Sequence, residues 1–65
     1  MSAEESLSKA EGLLARLEAA RARLEATDDP DQAIEVLQEL AELAREIESE
    51  LQRARRATEA DAADA

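Results

Sequence analysis

The sequence predicts an all-α chain folded as an antiparallel two-helix hairpin, coiled-coil-like, that completes a helical bundle or coiled coil with partner chains. Three observations lead there. Ala, Leu, Glu, Arg and Gln dominate, and these are strong helix formers. Apolar residues recur at spacings of three and four along two long stretches. One compact group, Asp28-Asp29-Pro30-Asp31, separates the stretches and is suited both to stop one helix and to start another. Only Ile34, Val36 and Ile47 are large and β-branched, so strands are not expected.

The expected organisation is one hairpin over residues 1–58, with a helix over about 3–27, a turn at 27–30 and a helix over about 30–57, followed by a disordered acidic tail over 58–65. The first helix has two start signals of capping-box spacing, Ser2 with Glu5 and Ser8 with Glu11. Its seam reads Leu7, Ala10, Leu14, Leu17, Arg21 and Leu24, widened by Leu13. Arg21 on such a seam either sets register or lays its stem on apolar neighbours while its head reaches water, and Glu25 can pair with it. Gly12 weakens this helix by about 1 kcal/mol relative to alanine, which favours fraying of its first turns.

In the turn, Asp29 is placed to cap the second helix, and Pro30 follows at the first helical position, where the missing N–H is not needed. Asp31 adds negative charge where the helix dipole favours it, and Gln32 can reach back toward Asp29. So short a connection makes the helices antiparallel neighbours. The second helix carries two stripes: Ala33, Leu37, Leu40, Ala44, Ile47, Leu51, Ala54 and Thr58, and beside it Val36, Leu40, Leu43 and Ile47. This face is wider than one partner helix needs. Val36, Leu37, Leu40, Leu43, Ile47 and Leu51 are therefore the expected partner-binding residues. Leu40 and Ile47, shared by both stripes, should be the most buried in an assembly, and Val36 and Leu43 should serve a partner more than the hairpin. An oligomer or complex is expected, not a monomer.

Composition excludes much chemistry. The chain has 65 residues, no cysteine, no histidine and no aromatic residue. Thiolate and imidazole metal sites and most nucleophilic triads are thereby removed, and no catalytic residue, cofactor or metal site is expected. With 17 acidic and 8 basic residues the net charge is −9, which opposes direct binding to nucleic acid or anionic membranes. No stretch is apolar enough for a membrane span, and a cytoplasmic location is the default expectation. Asp28, Asp29 and Asp31 lack the further ligands and central glycine of a calcium loop, so capping explains them better. Glu35, Glu39, Glu42 and Glu46 have no histidine to complete a di-metal bundle site and read as a solvated face. Arg53, Arg55 and Arg56 could meet a carboxylate-rich partner or a phosphate. The plainer reading places them at a helix C-terminus, with Arg53 paired to Glu50.

The run Arg23 to Ala54, "RLEATDDPDQAIEVLQELAELAREIESELQRA", resembles the small subunit of exodeoxyribonuclease VII. The resemblance lies in Arg23-Leu24-Glu25 ending a helix, a short acidic turn, Ala33 and Ile34 early in the next helix, Leu43-Ala44-Arg45, and Leu51 with Ala54. Leu37 falls where that family often has an aromatic, Thr27 where a glycine is usual and Leu40 where a glycine often sits. The resemblance implies a non-catalytic subunit that packs on the long helices of a large nuclease subunit degrading single-stranded DNA, keeping it soluble and active. The alternatives from the residues alone are a self-associating hairpin forming a four-helix bundle, or a small acidic adaptor for a basic partner, natural or designed.

Overall fold

A computed structural model describes residues 2–64, with side chains for residues 2–60. It has two helices in contact, α1 (Ala3–Ala26) and α2 (Pro30–Asp64), which form the antiparallel hairpin. The molecule is a rod 54 Å long and about two helices wide. That length is close to the ~52 Å expected of 35 residues in an unbroken α-helix.

α1 begins at Ser2, whose hydroxyl accepts from the Glu5 amide at 3.1 Å. Ser8, the other candidate cap, lies inside the helix. α1 stops at Ala26, and Thr27 leaves the helical region with φ −92° and ψ 138°. The turn is then held by side chains. Asp29 Oδ1 accepts from the Asp31 amide at 3.0 Å, while its carbonyl takes the first intrahelical bond, from Ala33 at 2.9 Å. The back-reaching bond does not come from Gln32. The Asp29 amide donates to the Thr27 hydroxyl oxygen at 3.4 Å, and Gln32 Oε1 accepts from that same hydroxyl at 3.3 Å. Thr27 lies nearer to the Asp29 amide along the chain, so it takes the position that Gln32 fills in a capping box.

α2 does not end near residue 57. It is helical through Asp64, because "ATEADAADA" is rich in alanine and contains no glycine or proline to break it. Ala65 lies outside the described residues. Arg53, Arg55 and Arg56 are therefore not at a helix C-terminus. Arg53 is hydrogen-bonded to Glu50, and Arg55 to Glu59 at 3.1 Å, so local pairing holds two of the three.

The seam between the helices differs from the row of leucines. On α1 the covered residues are Ala3, Ser6, Ala10, Leu13, Leu17, Ala20, Leu24 and Thr27, an unbroken alternation of three and four. On α2 they are Ala33, Val36, Leu40, Leu43, Ile47, Glu50, Ala54 and Ala57, with Glu39 half-buried beside them. The two alternations and the ion pair between Arg23 and Glu39 agree with a register in which Leu24 lies opposite Val36, Ala20 opposite Leu40, Leu17 opposite Leu43 and Leu13 opposite Ile47. Small residues on α1 face large ones on α2 in part of this seam, so the axes can approach closely. Ala20 is fully buried and Leu43 is only 2% exposed. Arg21 is not in the seam. It is exposed on the outside and bonded to Glu25 at 2.6 Å.

Candidate protein-docking flank

The seam has two sides, and they carry different chemistry. On one side the residues that precede seam positions are Lys9, Arg16 and Arg23 on α1, with Glu39, Glu46 and Arg53 on α2. This side carries charges of both signs, with one ion pair across the seam. Arg23 binds Glu39, and Lys9 and Arg16 line one shallow depression with Glu46 and Glu50. Glu50 occupies the seam itself. Arg53 satisfies its Oε2, and its buried Oε1 has no partner among the described residues.

On the other side the residues that follow seam positions are Leu7, Leu14 and Arg21 on α1, with Leu37, Ala44 and Leu51 on α2. The antiparallel register places Leu7 across from Leu51 and Leu14 across from Ala44. After the hairpin has formed, Leu7 is still 46% exposed, Leu14 47%, Leu37 52% and Leu51 48%. Single exposed leucines on a surface need no explanation, but four aligned along one flank form a stripe. Ala44, Ile47 and Leu51, with Glu48, Gln52 and Arg55, line an open groove of about 340 Å³ on this side. Ile34, also exposed, adds apolar surface near the turn.

The six residues expected to meet a partner thus divide. Leu37 and Leu51 lie on the exposed flank. Val36, Leu40 and Ile47 are half-buried in the seam, and Leu43 is closed off against α1. Of these six, Leu43 is the most buried within the hairpin, and Val36 and Leu43 lie in the seam with α1. The reason is the one-residue offset between the two stripes of α2: α1 covers the stripe through Val36 and Leu43, leaving the stripe through Leu37 and Leu51 outside. Leu7 and Leu14 belong to the flank and not to the seam. The signal for this is the small residues, since Ser6, Ala10 and Ala20 continue the three-and-four alternation that Arg21 interrupts.

Among the described residues no other feature has the makings of a site. A hollow of about 580 Å³ beside the turn is lined by Arg23, Thr27, Asp29 and Gln32 among others, but these already serve the cap and the Arg23–Glu39 pair. Among the described residues there is no cluster of three or more potential metal ligands. No described helix is long and apolar enough to cross a membrane. In comparisons with known proteins the chain matches no family model, no curated protein and no solved structure.

Proposed function

We propose that this chain is a non-catalytic helical subunit whose apolar flank docks on the helices of a larger protein. The observation that carries this reading is the line of half-exposed leucines, Leu7, Leu14, Leu37 and Leu51, left outside a hairpin whose other side carries charged residues and the Arg23–Glu39 pair. Water contact on such a stripe is unfavourable by about 25 cal/mol for each Å² of apolar surface, and a helix laid along it removes that contact. The resemblance of Arg23 to Ala54 to the small subunit of exodeoxyribonuclease VII supports one choice of partner: the long helices of a large nuclease subunit that degrades single-stranded DNA in the cytoplasm. The charge of −9 suits a subunit that leaves DNA contact to its partner.

Co-expression with the candidate large subunit from the same genome tests the proposal. The expected result is co-elution on size exclusion, with higher solubility and single-strand degradation than the large subunit has alone. Separate elution with unchanged activity refutes the nuclease partner.

A further inference from the structure

The apolar flank has two edges of different character. On α1 the edge is a row of exposed glutamates, one per heptad: Glu4, Glu11, Glu18 and Glu25. Each lies three or four residues from Leu7, Leu14 or Arg21 and so shares their face. Two members of the row are accounted for within the chain. Glu4 lies in the first turn, where the helix dipole favours an anion, and Glu25 is held by Arg21. Glu11 and Glu18 have neither reason. Glu11 has Leu7, Ser8, Leu14 and Ala15 at three- and four-residue spacing, and none carries a charge. Glu18 has Arg21 within reach, but Arg21 is turned to Glu25. The remaining basic residues of α1, Lys9, Arg16 and Arg23, lie on the opposite side of the seam. On α2 the corresponding edge is Ile34, Ala41, Glu48 and Arg55, with Arg55 bonded to Glu59.

We infer that the occupant of the flank is an amphipathic helix that carries lysine or arginine at heptad spacing along the edge meeting α1, where it neutralises Glu11 and Glu18. This rests on the reading of the flank as a docking face and adds the chemistry of what docks there. Apolar seams with charged borders choose partners in this way. A second copy of the chain is a poorer match. Two flanks laid together set glutamate row against glutamate row, or against Ile34, Ala41 and Glu48, and join two chains of charge −9.

The test uses the full chain and two synthetic helical peptides of about three heptads, both with a leucine seam. One carries lysine at the border positions, the other glutamate. Binding is measured by fluorescence anisotropy at low and high salt, with light scattering to fix the mass of the free chain. The lysine peptide should bind at least about tenfold more tightly at low salt, and high salt should narrow the gap. The double variant Glu11→Gln, Glu18→Gln should weaken lysine-peptide binding about fivefold. The control Glu35→Gln, Glu42→Gln removes the same charge away from the flank and should leave it within about twofold. Circular dichroism confirms that both doubles keep their helix.

Equal loss in the two doubles would mean that only net charge acts, and would overturn the inference. Equal affinity for both peptides would overturn it while leaving apolar docking intact. Failure of both peptides to bind a monomeric chain would remove the docking face altogether. A stable dimer that Leu14→Ser dissociates would show that a second copy is the occupant.

Discussion

Replacing Leu43 by alanine tests which stripe of α2 closes the hairpin. Leu43 is 2% exposed and sits opposite Leu17, so nearly its whole side chain is out of water. Truncating a buried leucine removes its transfer free energy and leaves a cavity, together 2–5 kcal/mol in well-packed cores. A two-helix seam has open sides and collapses partly into the space, which places the loss near ~2–3 kcal/mol. Leu51 is the comparison. It is 48% exposed, so Leu51→Ala gives up only part of a leucine's burial, about 1 kcal/mol, and opens no enclosed cavity. For a domain of this size each kcal/mol shifts Tm by about 4–8 °C, so Leu43→Ala should lower Tm by roughly 10–20 °C and Leu51→Ala by less than half of that. Thermal unfolding followed by far-ultraviolet circular dichroism, at two widely separated protein concentrations, measures both. At the dilute end the flank is unoccupied and only the seam contributes. An equal or larger loss from Leu51→Ala there, independent of concentration, would show that the seam runs through Leu37 and Leu51 and that the flank described above does not exist.

Two further outcomes follow from the helices themselves. Gly12 lies inside α1 at an exposed position, and a Cβ built there meets no heavy atom within 4 Å, so Gly12→Ala should stabilise the hairpin by about 0.5–1 kcal/mol in a urea melt. Asp29→Ala removes the side chain that accepts from the Asp31 amide and should lower stability by about 1 kcal/mol, with Asp29→Asn recovering most of it.

The helices and their turn were legible in the sequence because local chemistry decides them. Pro30 restricts Asp29, Asp29 caps α2, and no strong breaker interrupts either run. The end of α2 was less legible, since an alanine-rich acidic segment without large apolar residues reads equally well as a tail and as a free-standing helix. The face of each helix that meets the other was misread for a physical reason. Leucine marks apolar surface but not which apolar surface is covered. Ser6, Ala10 and Ala20 are buried because they are small enough for close approach of α2, while the larger Leu7 and Leu14 stand one position away at the edge. Glu50, a charged residue in the seam, adds to the difficulty, because a hydrophobic pattern passes over it in favour of Leu51. The exposed apolar flank depends on both registers together, and neither helix alone specifies it.

The seam tapers, and this has a mechanical consequence. Near the turn its large residues are Leu24, Val36, Leu40, Leu17, Leu43, Leu13 and Ile47, beside the smaller Thr27, Ala33 and Ala20; toward the termini its residues are Ala10, Glu50, Ser6, Ala54, Ala3 and Ala57. Cohesion is therefore greatest where the loop to be closed is shortest and falls along the rod. Beyond Ala57, α2 runs on to Asp64, past the level of Ala3 where α1 begins. On this distribution of apolar burial the hairpin is a clip fastened near the bend. Parting the tips sacrifices little apolar burial and returns the unpaired Oε1 of Glu50 to water, which offsets part of the loss. Separation thus starts at the termini and runs toward the bend, which is the last part to give way.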